Sequence, residues 1–343
     1  MLVYNAYNLS GPPPVSLPEC VSYTSIDRAH KRLGYTLGYP AKLDRLAQVT
    51  HANAKITDAI AKLAEQEFDI DVPPRGGTSI DLMRVREALK HFIRDWSSGG
   101  LRERDKIFAP ILDVLRTVDA DERANQRVLF PDSGLGRLTW EISELGFHET
   151  TANEISFFMT LALRFLLEPS TTAVDQHLIH PYAHWFSHQR SADSLFRSIS
   201  FPDAIPRLSP RFKLIEKDFL TLRPPPVVNP LLPPIAGYDY IVTLFFINTS
   251  LNILTTLAHI YSLLRPGGTW INLGPLLWTS DGQAKLELTL EEVLRAAEEL
   301  GFVIYPREDG QQSQTVECEY TGDAQAMMRW IYRAEFWVAH KPK

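Results

Sequence analysis

The stretch that decides the fold is residues 128–159, VLFPDSGLGRLTWEISELGFHETTANEISFFM. It reads as a short apolar strand, a glycine-bearing loop, an amphipathic helix and a second strand that ends at an acidic residue. Such a loop lets backbone N–H groups and a helix N-terminus approach a ligand, while an acid about 20 residues on can accept hydrogen bonds from a ribose. We therefore predict a nucleotide-like cofactor site that contains Gly134, Gly136 and Glu154.

The composition sets the class of protein in which this stretch operates. The 343 residues are 45% hydrophobic and 22% charged, as in soluble globular proteins. Lys and Arg number 35 against 41 Asp and Glu, so the net charge of −6 argues against generic binding to nucleic-acid phosphates. The two cysteines are too few for a disulfide framework. Without a leader pattern or a long apolar run, we expect a cytoplasmic protein that binds no membrane.

On either side of this stretch the sequence has two different rhythms. Before it, apolar residues recur at helical spacing over 25–67, 82–96 and 103–118, which predicts an N-terminal helical cap at 1–125. After it, strands and helices alternate. The predicted strands are 127–130, 149–153, 212–216, 240–247, 269–273, 302–305 and 335–340, and the helices are 136–145, 155–167, 251–264 and 290–300.

The alternation predicts an α/β fold with a doubly wound, mostly parallel, seven-stranded Rossmann-like sheet over 126–343. Ligands of such sheets lie at the carboxyl ends of the strands. The stretch 168–210 is too long for a plain connection, and we interpret it as an insertion that helps to build the active site.

Several sequence blocks sharpen the prediction. The helix end LRPGG at 264–268, followed at once by a strand, resembles the turn after the fourth strand of class I S-adenosylmethionine (SAM) dependent methyltransferases. Further blocks resemble the carnosine N-methyltransferase family, in that family's order. They are HFIRDWS (91–97), GLGRLTWEI (134–142), NEISFFM (153–159), RSADSLFRSISFPD (190–203), LFFINTSLNIL (244–254), LRPGGTWINLGPLL (264–277) and MMRWIYRAEFWVAHKP (327–342).

The resemblance implies a methyltransferase sheet, SAM as the cofactor and methyl transfer to the imidazole nitrogen of a histidyl dipeptide. It also implies which positions hold the cofactor. These are His91, Arg94, Asp132, Ser133, Gly134, Gly136, Glu154, Asp218, Phe219 and Leu244. For Arg94 a structural ion pair with Asp95 is the competing interpretation, and for Phe219 it is core packing.

Two departures from the family pattern concern the chemistry. The family's Pro-Gly-Ala-Gly loop is Pro-Asp-Ser-Gly here, so that Asp132 either repels the carboxylate of SAM or receives its ammonium group. The family's CFFID ends in an acid that grips the substrate imidazole, whereas this chain has LFFIN, with Asn248 in that place. An amide can form a hydrogen bond but stabilises an imidazolium less than a carboxylate does. Capping of the next helix is the alternative role of Asn248.

Further substrate positions follow from the same resemblance. Thr279 follows Trp278 where the family has a histidine after GPLL. Tyr332 matches a substrate-site tyrosine, while Trp330 replaces the tyrosine two residues before it. Core packing is the alternative for both aromatic residues.

The insertion contributes a second group of candidates. His184, in HPYAHWFSH, matches a family histidine and is a candidate base or substrate hydrogen-bond partner. Tyr182 and Arg190 lie in the same insertion and complete the predicted substrate site. The insertion also carries His177, His180 and His188, but Pro181 breaks the helix that would align the histidines, so we predict no metal site.

We therefore predict a SAM-dependent methyltransferase for a small molecule, with nitrogen favoured as the acceptor and with an altered substrate site. The catalytic candidates are His184, Asn248 and Tyr332. Two alternatives stay open. One is an enzyme of the same fold that catalyses an isomerisation, elimination or cyclisation, and the other is a non-catalytic SAM-binding protein. The oligomeric state is open, with a homodimer as one option.

Overall fold

The structure is a computed structural model, and it describes residues 18–68, 79–226, 236–278 and 283–343. The chain forms two compact units. One contains Met1–Gly99, Arg164–Ile205 and Thr321–Arg329, and the other contains Gly100–Leu163, Pro206–Tyr320 and Trp330–Lys343. No helix within the described ranges has the length and apolarity needed to cross a bilayer.

The second unit is built on one seven-stranded sheet of order β5-β2-β1-β6-β7-β9-β8. Its strands are β1 Arg127–Pro131, β2 Glu149–Asn153, β5 Phe212–Ile215, β6 Tyr238–Leu244, β7 Leu264–Gly274, β8 Gln314–Cys318 and β9 Tyr332–His340. The first five in spatial order run parallel, and β9 is antiparallel to both of its neighbours. The predicted α/β class and the mostly parallel seven-stranded sheet are thereby confirmed.

The sheet is covered on both faces, which explains the continuous apolar run in the central strand β1. Along β1, Val128 and Phe130 belong to a core cluster with α5, whereas Leu129 between them belongs to a cluster with α10 and α11. All five residues of β1 are buried. The helices of this unit are α5 Leu101–Arg116, α6 Ala120–Arg123, α7 Arg137–Glu144, α10 Ile253–Leu263 and α11 Leu290–Glu299.

The first unit is assembled from segments that are far apart in sequence. Its helices are α1 Pro18–Ser25, α2 Arg28–Thr36, α3 Tyr39–Phe68, α4 Ser79–Trp96 and α9 Ala192–Phe196, and α8 Phe157–Leu167 leads into it from the other unit. The insertion forms the antiparallel hairpin of β3 His177–Ile179 and β4 Ile199–Phe201. Two hydrogen bonds join Asn53 to His180: the Asn53 Nδ2 donates to His180 O at 3.0 Å, and the His180 N–H donates to Asn53 Oδ1 at 2.7 Å. The insertion thus packs in the same unit as α3.

Two predicted features differ from the structure. Residues 302–305 form no sheet strand but only an isolated bridge between Val303 and His340, and the seventh strand is β8, which the sequence did not predict. Phe302 and Ile304 are apolar because they fill the core next to α11, not because they pair. Residues 100–125 belong to the compact unit of the sheet, whereas the cap predicted from the sequence extends to residue 125.

Candidate active site

The loop between β1 and α7 is shaped by left-handed backbone. Asp132, Gly134 and Gly136 have φ values of 55°, 55° and 70°. A Cβ atom at Gly136 would also stand 3.2 Å from Leu163 Cδ2. Glycine is therefore favoured at this position both by the positive φ and by the lack of space for a side chain. The Ser133 N–H donates to Asn153 O at 3.1 Å, which ties the loop to the end of β2. The loop therefore lies at the carboxyl edge of the sheet, where ligands of this fold bind.

Glu154 lies beside this loop, at the tip of β2. Its side chain accepts hydrogen bonds from Gly134 N at 2.8 Å and Ser156 N at 2.7 Å, and the residue is only 1% exposed. Burial, together with the negative charge of Asp132, raises the pKa of Glu154 to about 8. Each carboxylate oxygen has a second lone pair. The predicted ribose acceptor and the predicted glycine loop are thus in direct contact.

The end of β5 is held against the end of β2 by Asn153. Its Nδ2 donates to Ile215 O at 3.0 Å and to Lys217 O at 2.8 Å. The next residues are the predicted adenine contacts. The Asp218 side chain accepts from Leu220 N at 2.9 Å and so caps a short 3₁₀ turn, and Phe219 is buried against Phe246. Core packing, the competing interpretation of Phe219, is therefore present at this strand end, and Asp218 has a capping role that the sequence did not predict.

The end of β6 has an unusual backbone. Leu244 is buried at the last strand position, and Phe245 follows with φ of 53°, a conformation that a bulky residue rarely adopts. Asn248 is 6% exposed, its Nδ2 donates to Leu277 O at 3.2 Å, and its Oδ1 is buried with no hydrogen-bond partner among the described residues. Its side chain does not cap α10, whose N-cap is Asn252. Asn248 thus presents a desolvated acceptor at the carboxyl edge of the sheet.

The remaining substrate candidates of this unit lie at the start of β9. Tyr332 is partly buried, and its ring packs edge-to-face on Phe245 with centroids 5.5 Å apart. Trp330 is 70% exposed, so core packing does not explain it. The predicted position Thr279 lies outside the described residues.

In the first unit, the two cofactor candidates of α4 are part of a buried charge cluster. Arg94 donates from Nε and Nη2 to the two carboxylate oxygens of Asp95, at 2.7 and 3.0 Å. Although burial opposes its charge, the guanidinium holds the pKa of Asp95 well below its usual range. Burial and the charge of Arg94 lower the pKa of His91. The ion pair considered as the alternative role of Arg94 is therefore present.

The insertion candidates have separate surroundings. Tyr182 is buried, and the Arg197 guanidinium lies 3.7 Å from its ring centroid. His184 is half-buried; burial, Arg86 and Lys90 lower its pKa to about 3. Arg190 is exposed. Within the described ranges, no three or more His, Cys, Asp or Glu side chains are grouped so that they could hold a metal ion.

A family model described as carnosine N-methyltransferase matches residues 74–343. The chain belongs to this family. Carnosine N-methyltransferase of Schizosaccharomyces pombe is 34% identical over 323 residues, which cover 88% of this chain and 83% of the relative. The enzyme of Rattus norvegicus is 30% identical over 321 residues, or 89% of this chain and 76% of the relative. The predicted family and the predicted enzyme class, methyltransferase, are confirmed.

The carnosine N-methyltransferase family implies SAM as the methyl donor, and the described residues fit it. The buried hydroxyl of Ser133 has no hydrogen-bond partner among the described residues, although it lies in the loop that the methionine end should meet. Glu154 has lone pairs left for ribose hydroxyls. The left-handed backbone at Gly134 and Gly136 lets main chain approach a ligand closely.

Two residues that shape this candidate site were not predicted from the sequence. Asn153 holds the ends of β2 and β5 together through its side-chain amide. The sequence analysis selected its neighbour Glu154 instead, because an acid after the second strand is a typical ribose acceptor. Phe245 adopts a positive φ. Glycine or asparagine at this position would have indicated such a backbone, but phenylalanine does not.

Proposed function

We propose that this protein transfers the methyl group of SAM to a ring nitrogen of a small, neutral nitrogen heterocycle. Its relatives carry the name carnosine N-methyltransferase, so imidazole-bearing dipeptides are the first acceptors to test. A cytoplasmic location is part of the proposal.

The observation that carries the acceptor class is the buried, unpartnered Oδ1 of Asn248. A buried acceptor without a donor costs about 1–3 kcal/mol, and a ring N–H would satisfy it. An azole offers that N–H on one nitrogen and a lone pair on another. By binding the N–H, Asn248 orients the ring so that the second nitrogen is free to attack.

The cofactor residues proposed for this reaction are the loop at 132–136 and Glu154. When bound, SAM supplies an electrophilic methyl group, and displacement forms the N–C bond while the C–S electron pair stays on sulfur. Glu154 would hold the ribose and Ser133 the methionine end, and these contacts would position the methyl donor for the acceptor. Such positioning supplies much of the rate enhancement in a direct displacement.

The attacking nitrogen has a free lone pair, so no base is needed before the methyl moves. This agrees with the surroundings of His184, whose pKa of about 3 makes it a weak proton acceptor but a good neutral hydrogen-bond partner. We therefore assign His184 a binding role rather than a proton-transfer role. Tyr332 and Trp330 stay proposals as contacts of the acceptor.

The test is incubation of the purified chain with methyl-labelled SAM and carnosine, followed by mass spectrometry of the dipeptide and of S-adenosylhomocysteine (SAH). The proposal expects one methyl on the imidazole and SAH in equal amount. The same incubation with a panel of azoles measures how far the acceptor differs from carnosine. Tight SAH binding by calorimetry with no methylated product from any azole would favour the non-catalytic alternative instead.

A further inference from the structure

The first unit holds two cationic side chains, Arg86 and Lys90, to which the proposed function assigns no role. Arg86 and Lys90 are four residues apart on α4, so they lie on the same face of the helix. The Lys90 ammonium lies 4.3 Å from the ring centroid of Trp185, which places the segment that contains His184 against that face. The charges of Arg86 and Lys90 both act on the His184 ring.

The charges of this cluster do not cancel. Lys90 is 8% exposed and forms an ion pair with Glu87 at 2.9 Å. Arg86 has no such partner within the described ranges, and its Nε is buried without a hydrogen bond. A buried N–H without an acceptor costs about 1–3 kcal/mol, more when the group is charged. With His184 neutral, one positive charge and the unused Arg86 Nε–H donor remain.

We propose that Arg86, Lys90 and His184 form a binding site for a small carboxylate. A guanidinium matches a carboxylate with two parallel N–H bonds, and the neutral imidazole adds one donor. The net charge favours a single negative charge, since a doubly charged phosphate would be left half neutralised. The ligand class is therefore a monocarboxylate. Its source is either the acceptor, the methionine carboxylate of the cofactor or a separate small acid.

The first experiment uses acetate as the probe and acetamide as its neutral isostere. The 343-residue protein carries isotope-labelled histidine, and the His184 ring resonance is assigned from the His184→Gln variant. Acetate should shift this resonance in a saturable manner at millimolar concentration, and acetamide should not. Equal shifts of the His184 resonance with acetate and acetamide, or no shift with acetate, would show that this cluster does not bind a carboxylate.

Variants separate the site from general electrostatics. Arg86→Gln should weaken acetate binding at least tenfold. Arg84→Gln removes the same charge from an exposed position two residues away on α4, so it should change the binding less than twofold. Equal loss in both variants would mean that acetate senses only the overall charge. Thermal unfolding of both variants checks that each is folded.

Competition then identifies the source of the carboxylate. Displacement of acetate by carnosine, but not by carnosine with its carboxyl group amidated, would assign the site to the acceptor. Displacement by SAH would assign it to the cofactor, and displacement by neither would assign it to a separate acid. Acetate binding needs no methyl transfer, so a failure of this site and a failure of the proposed function can be told apart.

Discussion

At the scale of single residues, the site depends on polar groups held out of water. Glu154 keeps its proton up to a pH of about 8 because it is buried and because the negative charge of Asp132, in the loop after β1, raises its pKa. Asn248 keeps an unused acceptor in the short turn that follows β6. Each of these groups pays for desolvation in the free protein and can recover that energy from a ligand with matching donors.

The first prediction concerns the pH dependence of cofactor binding. Ribose hydroxyls donate hydrogen bonds best to the ionised form of Glu154, whose pKa is about 8. The Kd of SAH should therefore fall about tenfold between pH 7 and pH 9, since the competent fraction rises by that factor. Asp132→Asn removes a negative charge that raises this pKa, so the midpoint should move to lower pH. Calorimetric titration measures both, and Glu154→Gln, which cannot ionise, should show a flat profile.

The second prediction concerns the acceptor. Asn248→Asp places a carboxylate where the ring N–H is proposed to bind, and a charged acceptor strengthens such a bond by about 1 kcal/mol. The kcat/KM for carnosine should rise about fivefold, because the imidazolium that forms on methylation gains a counter-charge. Asn252→Asp makes the same change at the N-cap of α10 and should have little effect. Lower activity in Asn248→Asp would argue against a ring N–H at this position.

At the scale of elements, the site is assembled from strand ends, and what the sequence predicts depends on burial. The boundaries predicted for β2 agree with the structure because a central parallel strand is buried on both faces. The edge strand β8 escaped prediction because most of its residues are polar and not buried. Residues 302–305 looked like a strand because Phe302 and Ile304 alternate into the core without pairing. Hydrophobic periodicity indicates which residues are buried, whereas strand pairing depends on whether another segment lies alongside to form hydrogen bonds.

The third prediction tests the clamp between two strand ends. Asn153→Ala removes two hydrogen bonds and leaves two carbonyls of the β5 end without that donor. The variant should lose about 2–3 kcal/mol of unfolding free energy in urea titration. It should also bind SAH more weakly, since Asp218 and Phe219 follow the clamped carbonyls. Asn125→Ala removes one exposed amide-to-carbonyl bond, to Asp121, and should cost less than about 1 kcal/mol. Equal losses of unfolding free energy in the two variants would show that the Asn153 hydrogen bonds stabilise the protein no more than an exposed one does.

At the scale of the whole molecule, the two units differ in how far the sequence predicts them. The sheet unit follows from local periodicity and strand order, and in the structure Gly134 of its glycine loop donates a hydrogen bond to Glu154. The other unit joins segments up to Gly99 with Arg164–Ile205 and Thr321–Arg329. Contacts between such distant segments, for example between Asn53 and His180, depend on tertiary packing. They produce no residue spacing in the sequence from which they could be predicted. The partner of Arg94, in contrast, was foreseeable because it is the next residue.

The fourth prediction links Glu154 to the stability of the molecule. Its carboxyl group titrates near pH 4.5 when unfolded and near pH 8 in the folded protein, so between these values the folded protein holds a proton that the unfolded chain has released. The contribution of Glu154 to the unfolding free energy is therefore fully present below about pH 4.5 and is lost as the pH rises to 8, with a slope of at most about 1.4 kcal/mol per unit. Urea titration of the cofactor-free protein from pH 5.5 to 8.5 measures the slope, and Glu154→Gln should be less steep. Saturating SAH should reduce the wild-type slope, because bound ribose favours the ionised carboxylate. Equal slopes for the wild type, Glu154→Gln and the SAH-saturated wild type would show that Glu154 does not cause the pH dependence of stability.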